Sequence, residues 1–186
     1  MKNTALSQCQ LTVAGTVLKS IRITACKLTH ALAEDSCAKL KILSKTLTTN
    51  DLLGKPVRLH IKNIILFDGI IIKVTQREQQ NSILFSIIIR SKIYPLKKSH
   101  HDRIFTEKTA RDILKKILEP YGLLIEFHLK NKLFNYPLIT QYQQSDFDFL
   151  QSIMAENGLS FYFNDEKLLI TDHYPEIKPI ELAYIN

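Results

Sequence analysis

The chain has 186 residues, of which 45% are hydrophobic and 23% charged, with only five Gly and six Pro. This length and composition support a core of its own and exclude the disordered and fibrous classes. The formal net charge of +7 allows an acidic partner, nucleic acid among them, but the lysines are spread along the chain. A solvated basic surface is therefore the simpler interpretation.

The cysteines and the N-terminus predict the compartment. Cys9, Cys26 and Cys37 form an odd-numbered set without C-x-x-C spacing, which indicates reduced thiols rather than a disulfide framework or a zinc site. The first residues show no secretory signal peptide. The most apolar stretch, Ile61 to Val74, contains three charged residues and is too short to cross a bilayer. We therefore predict a cytoplasmic protein without a membrane anchor.

The first half of the chain has the apolar periodicity of strands. Leu52 to Pro56 is a turn-forming segment, and Asp68-Gly69 is either a hairpin turn or a bulge within one bent strand. Such long β segments in a short chain favour a small barrel over an open sheet. The predicted strands begin at Ile21 and at Leu40 and then cover Val57 to Ile61, Ile65 to Val74 and Ile83 to Ile93.

The second half changes to helical periodicity. Ala110, Ile113, Leu114, Ile117 and Leu118 fall on one helix face. Thr106 is the predicted N-cap of this helix, and Pro120 with Gly122 ends it.

A second helix is predicted to begin at Ser145, with Asp148 completing an approximate capping box. It ends at Asn157-Gly158. Leu159 to Phe163 and Leu168 to Thr171 then predict a β-hairpin. The aromatic residues around these elements are interpreted as core.

No catalytic, cofactor-binding or metal-binding site is predicted. His100, His101 and Asp102 could hold a metal, but adjacent histidines point apart, so a polar loop leading into the helix is the preferred interpretation. Asp146 and Asp148 could act as paired acid–base carboxylates. Their place in a first helical turn favours capping and interaction with the helix dipole instead.

Five stretches, in order along the chain, resemble the VgrG family of type VI secretion spike proteins and the phage baseplate hub, the tail hub or late control protein D-like proteins. They are LLGKP at 52–56, FDGII at 67–71, RIFT with TARDIL at 103–114, QYQQSDFDFL at 141–150 and IMAENGLSFYF at 153–163. Gln144 departs from the family pattern, which has Glu there. Only the N-terminal hub portion of a family member is covered, so a second barrel, the neck and the spike are not expected in this chain.

The resemblance implies an α+β fold that is mainly β. Residues 1–96 would form a small β-barrel hub module, and residues 97–186 a helix-containing insertion with a β-hairpin. Arg103 would lie in a loop and pair with Asp146 or a helix C-terminus, fixing the insertion. The motif residues implied are Gly54, Gly69, Arg103, Phe105, Tyr142, Ser145, Asp146, Phe149 and Gly158.

The function implied is structural and non-enzymatic: a component of a contractile injection machine that adapts a hexameric inner tube to a trimeric spike. The expected partners are copies of the chain, forming a trimer or a hexamer, together with an inner tube protein and a spike or tip protein. Contacts would come from the β-edges of Val57 to Ile61 and Ile65 to Val74. The protein would assemble into a secretion or tail particle and be ejected with it. A small basic nucleic-acid-binding module is the alternative, and an enzyme is the third class.

Overall fold

The computed structural model describes residues 8–30, 33–164 and 167–173, which divide into two compact units. The first, here called the sheet unit, comprises residues 8–30 and 35–92. The second, the helical unit, comprises residues 33–34, 93–164 and 167–173. Each unit has an apolar core of its own. Across the described ranges, no helix has both the length and the apolar character needed to cross a membrane.

The sheet unit is one antiparallel sheet with the strand order β2-β1-β5-β6-β7-β4-β3. β5 and β6 each pair on both sides, whereas β2 and β3 are the edges. The expectation that Val57 to Ile61 offers a β-edge is therefore wrong, because β5 pairs with β1 and β6 along these residues. Ile65 to Val74 stays a prediction, because β6 pairs with β5 up to Ile70 and with β7 only from Gly69 onward. The strands are β1 (Cys9–Val13), β2 (Thr16–Val17), β3 (Ile21–Thr29), β4 (Cys37–Ser44), β5 (Pro56–Ile61), β6 (Ile64–Gln79) and β7 (Ser82–Ser91).

Alternation of apolar and polar residues explains how this sheet buries one face. In β4, Ala38, Leu40 and Ile42 are buried, while Lys39 and Lys41 between them are exposed. The same period of two operates along the other long strands. The buried apolar residues of the unit are Leu11, Val13, Ile23, Ala38, Leu40, Ile42, Leu52, Val57, Leu59, Phe67, Ile71, Phe85, Ile87 and Ile89.

The sheet is curled, but it does not close into the predicted barrel. The ring centroids of His30, which follows β3, and Phe67 in β6 lie 5.5 Å apart. β7 and β4 separate these two strands, so a flat sheet would put them about 14 Å apart. The short distance indicates a strong bend. Among the described residues the edges β2 and β3 do not pair with each other, so the sheet is a half-barrel.

Gly69 lies inside the continuous strand β6, so the hairpin-turn interpretation of Asp68-Gly69 is wrong. The bent-strand alternative describes β6 better, because its pairing is irregular before and after Gly69. The register with β5 shifts opposite Leu59 and His60, and the register with β7 shifts between Ile71 and Lys73. A Cβ at Gly69 would collide with the carbonyl oxygen of Arg90 in β7. The close approach of β7 therefore requires glycine at this position.

The helical unit combines two helices with two small sheets, which confirms the α+β class and the mainly β content. β8 and β10 form an antiparallel ribbon, and β12 lies between β11 and the parallel strand β9. The predicted hairpin is present as β11–β12. The elements are β8 (His100–Thr109), α1 (Ala110–Leu118), β9 (Leu124–His128), β10 (Asn135–Ser145), α2 (Asp146–Glu156), β11 (Ser160–Asn164) and β12 (Lys167–Thr171).

Helix α1 begins later than the sequence predicts. Its N-cap is Thr109 and not Thr106: Thr109 Oγ1 accepts a hydrogen bond from the Asp112 backbone N–H at 3.2 Å, in a capping box. The preceding residues, His100 to Asp102 included, belong to strand β8 and not to a loop. The predicted apolar face of α1 is confirmed, since all five of its residues are buried.

Candidate functional site

A fully buried carboxylate lies at the start of helix α2 and collects hydrogen bonds from several segments of the helical unit. Arg103 donates to Asp146 with both terminal nitrogens, Nη1 to Oδ1 at 2.6 Å and Nη2 to Oδ2 at 3.2 Å. Tyr121 Oη donates at 2.6 Å and Gln141 Nε2 at 2.8 Å. His101 Nδ1 lies 3.0 Å from Oδ1. We call these five residues the Asp146 cluster.

The backbone of the ribbon explains how the donors come together. Arg103 in β8 and Gln141 in β10 are cross-strand partners, and Arg103 Nη1 also donates to Gln141 Oε1 at 2.7 Å. The register shifts between Gln141 and Gln144, where Gln143 has a φ of 47° and its N–H donates to Asp102 Oδ1 at 2.9 Å. Pairing resumes beyond this irregularity, with Gln144 opposite His101 and Ser145 opposite His100, so the ribbon continues up to the first residue of α2.

The electrostatics favour an ionised Asp146. Burial penalises the charged form, but hydrogen bonds from Arg103, Tyr121, Gln141 and His101 outweigh it and hold the pKa of Asp146 well below its usual range. Burial, and then the hydrogen bond to Asp146, raise the pKa of Tyr121. A buried carboxylate that is already saturated with donors is suited to joining elements and not to proton transfer.

The two aspartates at the start of α2 have different roles. Ser145 Oγ accepts from the Asp148 backbone N–H at 3.0 Å and donates to Asp148 Oδ2 at 2.6 Å, so the predicted cap at Ser145 is confirmed. The prediction that Asp146 also serves mainly to cap the helix is incomplete, because its carboxylate binds Arg103 and the other donors of the cluster.

The far end of α2 is fixed by a second set of contacts. Tyr136 Oη of β10 donates to Glu156 Oε2 at 2.6 Å, and Asn157 Nδ2 donates to Tyr136 Oη at 2.9 Å. Burial, with the Glu156 hydrogen bond, raises the pKa of Tyr136 to about 12. Gly158, with a φ of 63°, then ends the helix in the left-handed conformation. The ribbon therefore contacts α2 at both of its ends.

The remaining predicted residues lie at several places. Phe105 and Phe149 stack in the core of the helical unit with ring centroids 5.9 Å apart. Tyr142 is 67% exposed and outside the Asp146 cluster. Gly54 and Gly69 belong to the sheet unit, where Gly54 has a φ of 75° and donates its N–H to the Ile71 carbonyl at 2.8 Å. Of the predicted set, the structure brings together Arg103 and Asp146, with Arg103 in a strand and not in a loop.

Sequence reasoning missed three members of the cluster. Gln141 adjoins the selected Tyr142, and strand alternation opposite Arg103 would have chosen Gln141 for the inner face. His101 was assigned to a polar loop, with a metal ligand as the alternative, and Tyr121 carries no sequence signal. Within the part of the chain that the structure describes, no group of three His, Cys, Asp or Glu side chains could hold a metal ion.

Residues 31–184 match the sequence family described as phage tail baseplate hub (GPD). The chain belongs to this family. The predicted resemblance to VgrG and baseplate hub proteins is thereby confirmed, and hub family members are structural components of contractile injection machines.

Two curated relatives of this hub family chain are type VI secretion system spike proteins of Pseudomonas aeruginosa. VgrG1c is 26% identical over 133 residues, which cover 66% of this chain and 18% of the relative. VgrG1b is 25% identical over 148 residues, which cover 73% of this chain and 20% of the relative. The chain therefore spans about a fifth of the length of the curated relatives it matches.

Solved structures share the hub family fold. An Escherichia coli type VI secretion component, described as similar to the T4 tail proteins gp27 and gp5, aligns with a TM-score of 0.78 at 18% identity, over 87% of this chain and 48% of that one. The 43 kDa tail protein of prophage MuSo2 from Shewanella oneidensis gives 0.67 at 16% identity, over 88% and 54%. A chain of the Francisella PdpA–VgrG complex gives 0.65 at 13% identity, over 90% and 32%.

Proposed function

We propose that the chain is a hub module that adapts a hexameric inner tube to a trimeric spike in a contractile injection machine. The observation that carries this proposal is the family match over residues 31–184, which covers the described helical unit and residues 35–92 of the sheet unit. The task is one of shape: a threefold assembly of hub subunits presents a surface that a sixfold tube can bind. No reaction is required of the protein, and the Asp146 cluster suits a structural role.

Within this proposal the two parts of the chain have different tasks. Residues 1–96 supply the β hub module that packs around the particle axis, and residues 97–186 are the insertion that holds its own shape. The Asp146 cluster supports the second task, because it joins β8, β10, α2 and the turn after α1 through one buried charge. Arg103, Ser145 and Asp146 would thus fix the helices on the ribbon.

The ribbon also offers a surface for assembly. Ile104, Leu138 and Tyr142 are 73%, 63% and 67% exposed and lie on the outward face of β8–β10. Large apolar side chains grouped on one exposed face are typical of protein–protein contacts. We assign this face to contacts between hub subunits, which fits the trimer that the family resemblance implies.

The test is recovery of the particle. An affinity-tagged chain is expressed in its native cell, contractile particles are purified, and their proteins are quantified by mass spectrometry. We expect the chain to be present together with tube and spike proteins, at three copies per particle or a multiple of three. Particles that contain tube and spike but lack the chain would refute the proposal.

The subunit contact is tested in the same assay with a matched pair of variants. Leu138→Asn changes the outward face of the ribbon, and Leu124→Asn changes a leucine of similar exposure, 58%, at the start of β9. We expect Leu138→Asn to reduce incorporation at least tenfold while the monomer stays folded. Equal incorporation of Leu138→Asn and the unchanged chain would exclude the ribbon face as a subunit contact.

A further inference from the structure

The positive charge of the chain is concentrated in the sheet unit, which the spread of lysines along the sequence conceals. The described residues of the sheet unit include thirteen Lys and Arg against four Asp and Glu. Those of the helical unit include ten of each. Among the described residues, the excess of positive charge therefore lies in the sheet unit.

Within the sheet, six of the thirteen cations share one face. β3, β4 and β7 are neighbours and contain no Asp or Glu at all. On the outward side of β3 and β4 the alternation places Arg22, Lys27, Lys39 and Lys41, all exposed. The strand β6, which follows β7 in the sheet, adds two more exposed cations on this side, Lys73 and Arg77. We call these six residues the basic face.

The register shows how closely these charges lie. Lys27 is the cross-strand partner of Lys39, Lys39 of Ile88, and Ile88 of Lys73, so one row across four strands carries three lysines. Like charges directly opposite each other on neighbouring strands destabilise a sheet. Among the described residues, no member of the basic face has an Asp or Glu oxygen within ion-pair distance. The fold thus keeps a repulsion that an external negative charge would relieve.

The residues among the cations indicate which kind of partner supplies that charge. Leu43, Leu84 and Ile88 are outward-facing and only partly buried, so apolar side chains lie between the cations, and the mixture suits contact with another protein surface. No aromatic residue lies on it for base stacking, which single-stranded nucleic acid uses. A sheet exterior also presents no helix or ribbon to enter a duplex groove.

We infer that the basic face is the docking surface for an acidic face of another protein of the particle. The inference rests on the proposed function, because a hub module has protein neighbours around it. It adds the location of the contact and the charge of the partner. Lys39 and Lys41 lie at the centre of the cationic rows and contribute most of the attraction.

The first experiment measures binding to a defined acidic polypeptide, fluorescein-labelled poly-L-glutamate, at 150 mM salt, with a 20-base-pair duplex DNA as competitor. The test variant is Lys39→Glu/Lys41→Glu. The matched control is Lys115→Glu/Lys116→Glu, an equal change of charge on exposed residues of α1. We expect the test variant to weaken binding of poly-L-glutamate at least tenfold and the control to weaken it less than twofold.

Folding is separated from binding by the same variants. The Lys39→Glu change places a carboxylate opposite Lys27 and replaces a repulsion with an attraction. We therefore expect the thermal midpoint of the test variant to equal or exceed that of the unchanged chain. Equal weakening by both charge pairs would overturn the inference, because only net charge would then matter. Tighter binding of the duplex DNA than of poly-L-glutamate would also overturn it, in favour of a nucleic-acid partner.

The second experiment repeats the particle assay with both charge variants. We expect Lys39→Glu/Lys41→Glu to be lost from particles and Lys115→Glu/Lys116→Glu to be retained. Retention of both variants would overturn the docking surface while the hub function stands. Absence of the unchanged chain from the particles would refute the hub function itself.

Discussion

The two units of this chain differ in how their sequences specify them. The sheet unit hides a large apolar core; Ser44 and Ser91 are buried in its described part, and the buried side chain of Asp35 lies 3.3 Å from Arg90 Nε within the same unit. The helical unit also buries Gln141 and Asp146, whose partners come from distant segments. We infer that the stability of the first unit is distributed over many alternating side chains, whereas much of that of the second depends on the Asp146 carboxylate and its four partners.

Among the substitutions that test this contrast, the largest loss of stability is expected at Arg103. Replacement by Ala would leave the buried Asp146 carboxylate without its main counter-charge, and we expect the free energy of unfolding of the helical unit to fall by roughly 3–5 kcal/mol. Tyrosine fluorescence during urea unfolding reports on this unit, because all tyrosines of the described residues lie in it.

The control for Arg103 is Arg111→Ala, which removes an exposed arginine whose guanidinium lies 4.8 Å from the Phe127 ring centroid. We expect it to lose about 1 kcal/mol or less. If Arg103→Ala were no more destabilised than Arg111→Ala, the dependence of the helical unit on one charge would be wrong.

The sheet unit has its own sensitive position in Gly69. Alanine there would force β6 and β7 apart at Arg90, and we expect a loss of roughly 3 kcal/mol. Gly54→Ala is the matched variant: its Cβ meets open space, and only its positive φ opposes it, so about 1 kcal/mol is expected. Hydrogen exchange of peptides from β6 and β7 measures both. If the two variants lost similar amounts of stability, the close approach of β7 would not be the reason for glycine at position 69.

The pH dependence sharpens the contrast between the units. The pKa of Asp146 is lowered in the folded protein, so its contribution is fully present above the unfolded pKa of about 3.9 and is lost as the pH falls through the folded value. Between pH 5 and pH 2 we expect the free energy of unfolding, followed by tyrosine fluorescence, to fall. The expected loss is on the order of 1 kcal/mol for each unit by which folding lowers the pKa of Asp146. In Asp146→Asn, stability at pH 7 should be lower and this acid-dependent loss smaller; an unchanged pH profile would contradict the assignment.

The smallest expected effect tests the start of α1. Thr109→Ala removes the N-cap and should lose about 1 kcal/mol. Thr106→Ala, at the N-cap that the sequence predicted, should change the free energy of unfolding by no more than a few tenths of the Thr109→Ala effect, because Thr106 lies in β8. Urea unfolding followed by tyrosine fluorescence compares the two. Equal losses would show that the helix begins earlier than the structure places it.

Much of the fold could be predicted where one periodicity continues through an element. The long strands of the sheet unit, both helices and the hairpin β11–β12 follow from such patterns, and Ser145 was recognisable as a cap. Strand β8 was missed because its polar residues precede a helix directly, and Thr106 and Thr109 are equally good caps by residue type. The prediction of a closed barrel was wrong because it came from the lengths of the strands, and strand lengths carry no information on how far a sheet curls.

The candidate site could be predicted only in part. The pair of Arg103 with Asp146 came from the family resemblance, since 43 residues of sequence separate them. Tyr121 joins the cluster through the geometry of the turn after α1, which periodicity does not encode. The concentration of charge in the sheet unit was also hidden, because strands distant in sequence bring their lysines to one face.

The central claim is that this chain is a module of the hub between tube and spike. A cryo-electron microscopy reconstruction of the tip of the purified particle tests it most directly. We predict three copies of the seven-stranded sheet, or a multiple of three, around the axis where the tube ends. A tip resolved at this junction without the sheet unit, in particles that carry the chain elsewhere, would contradict the account.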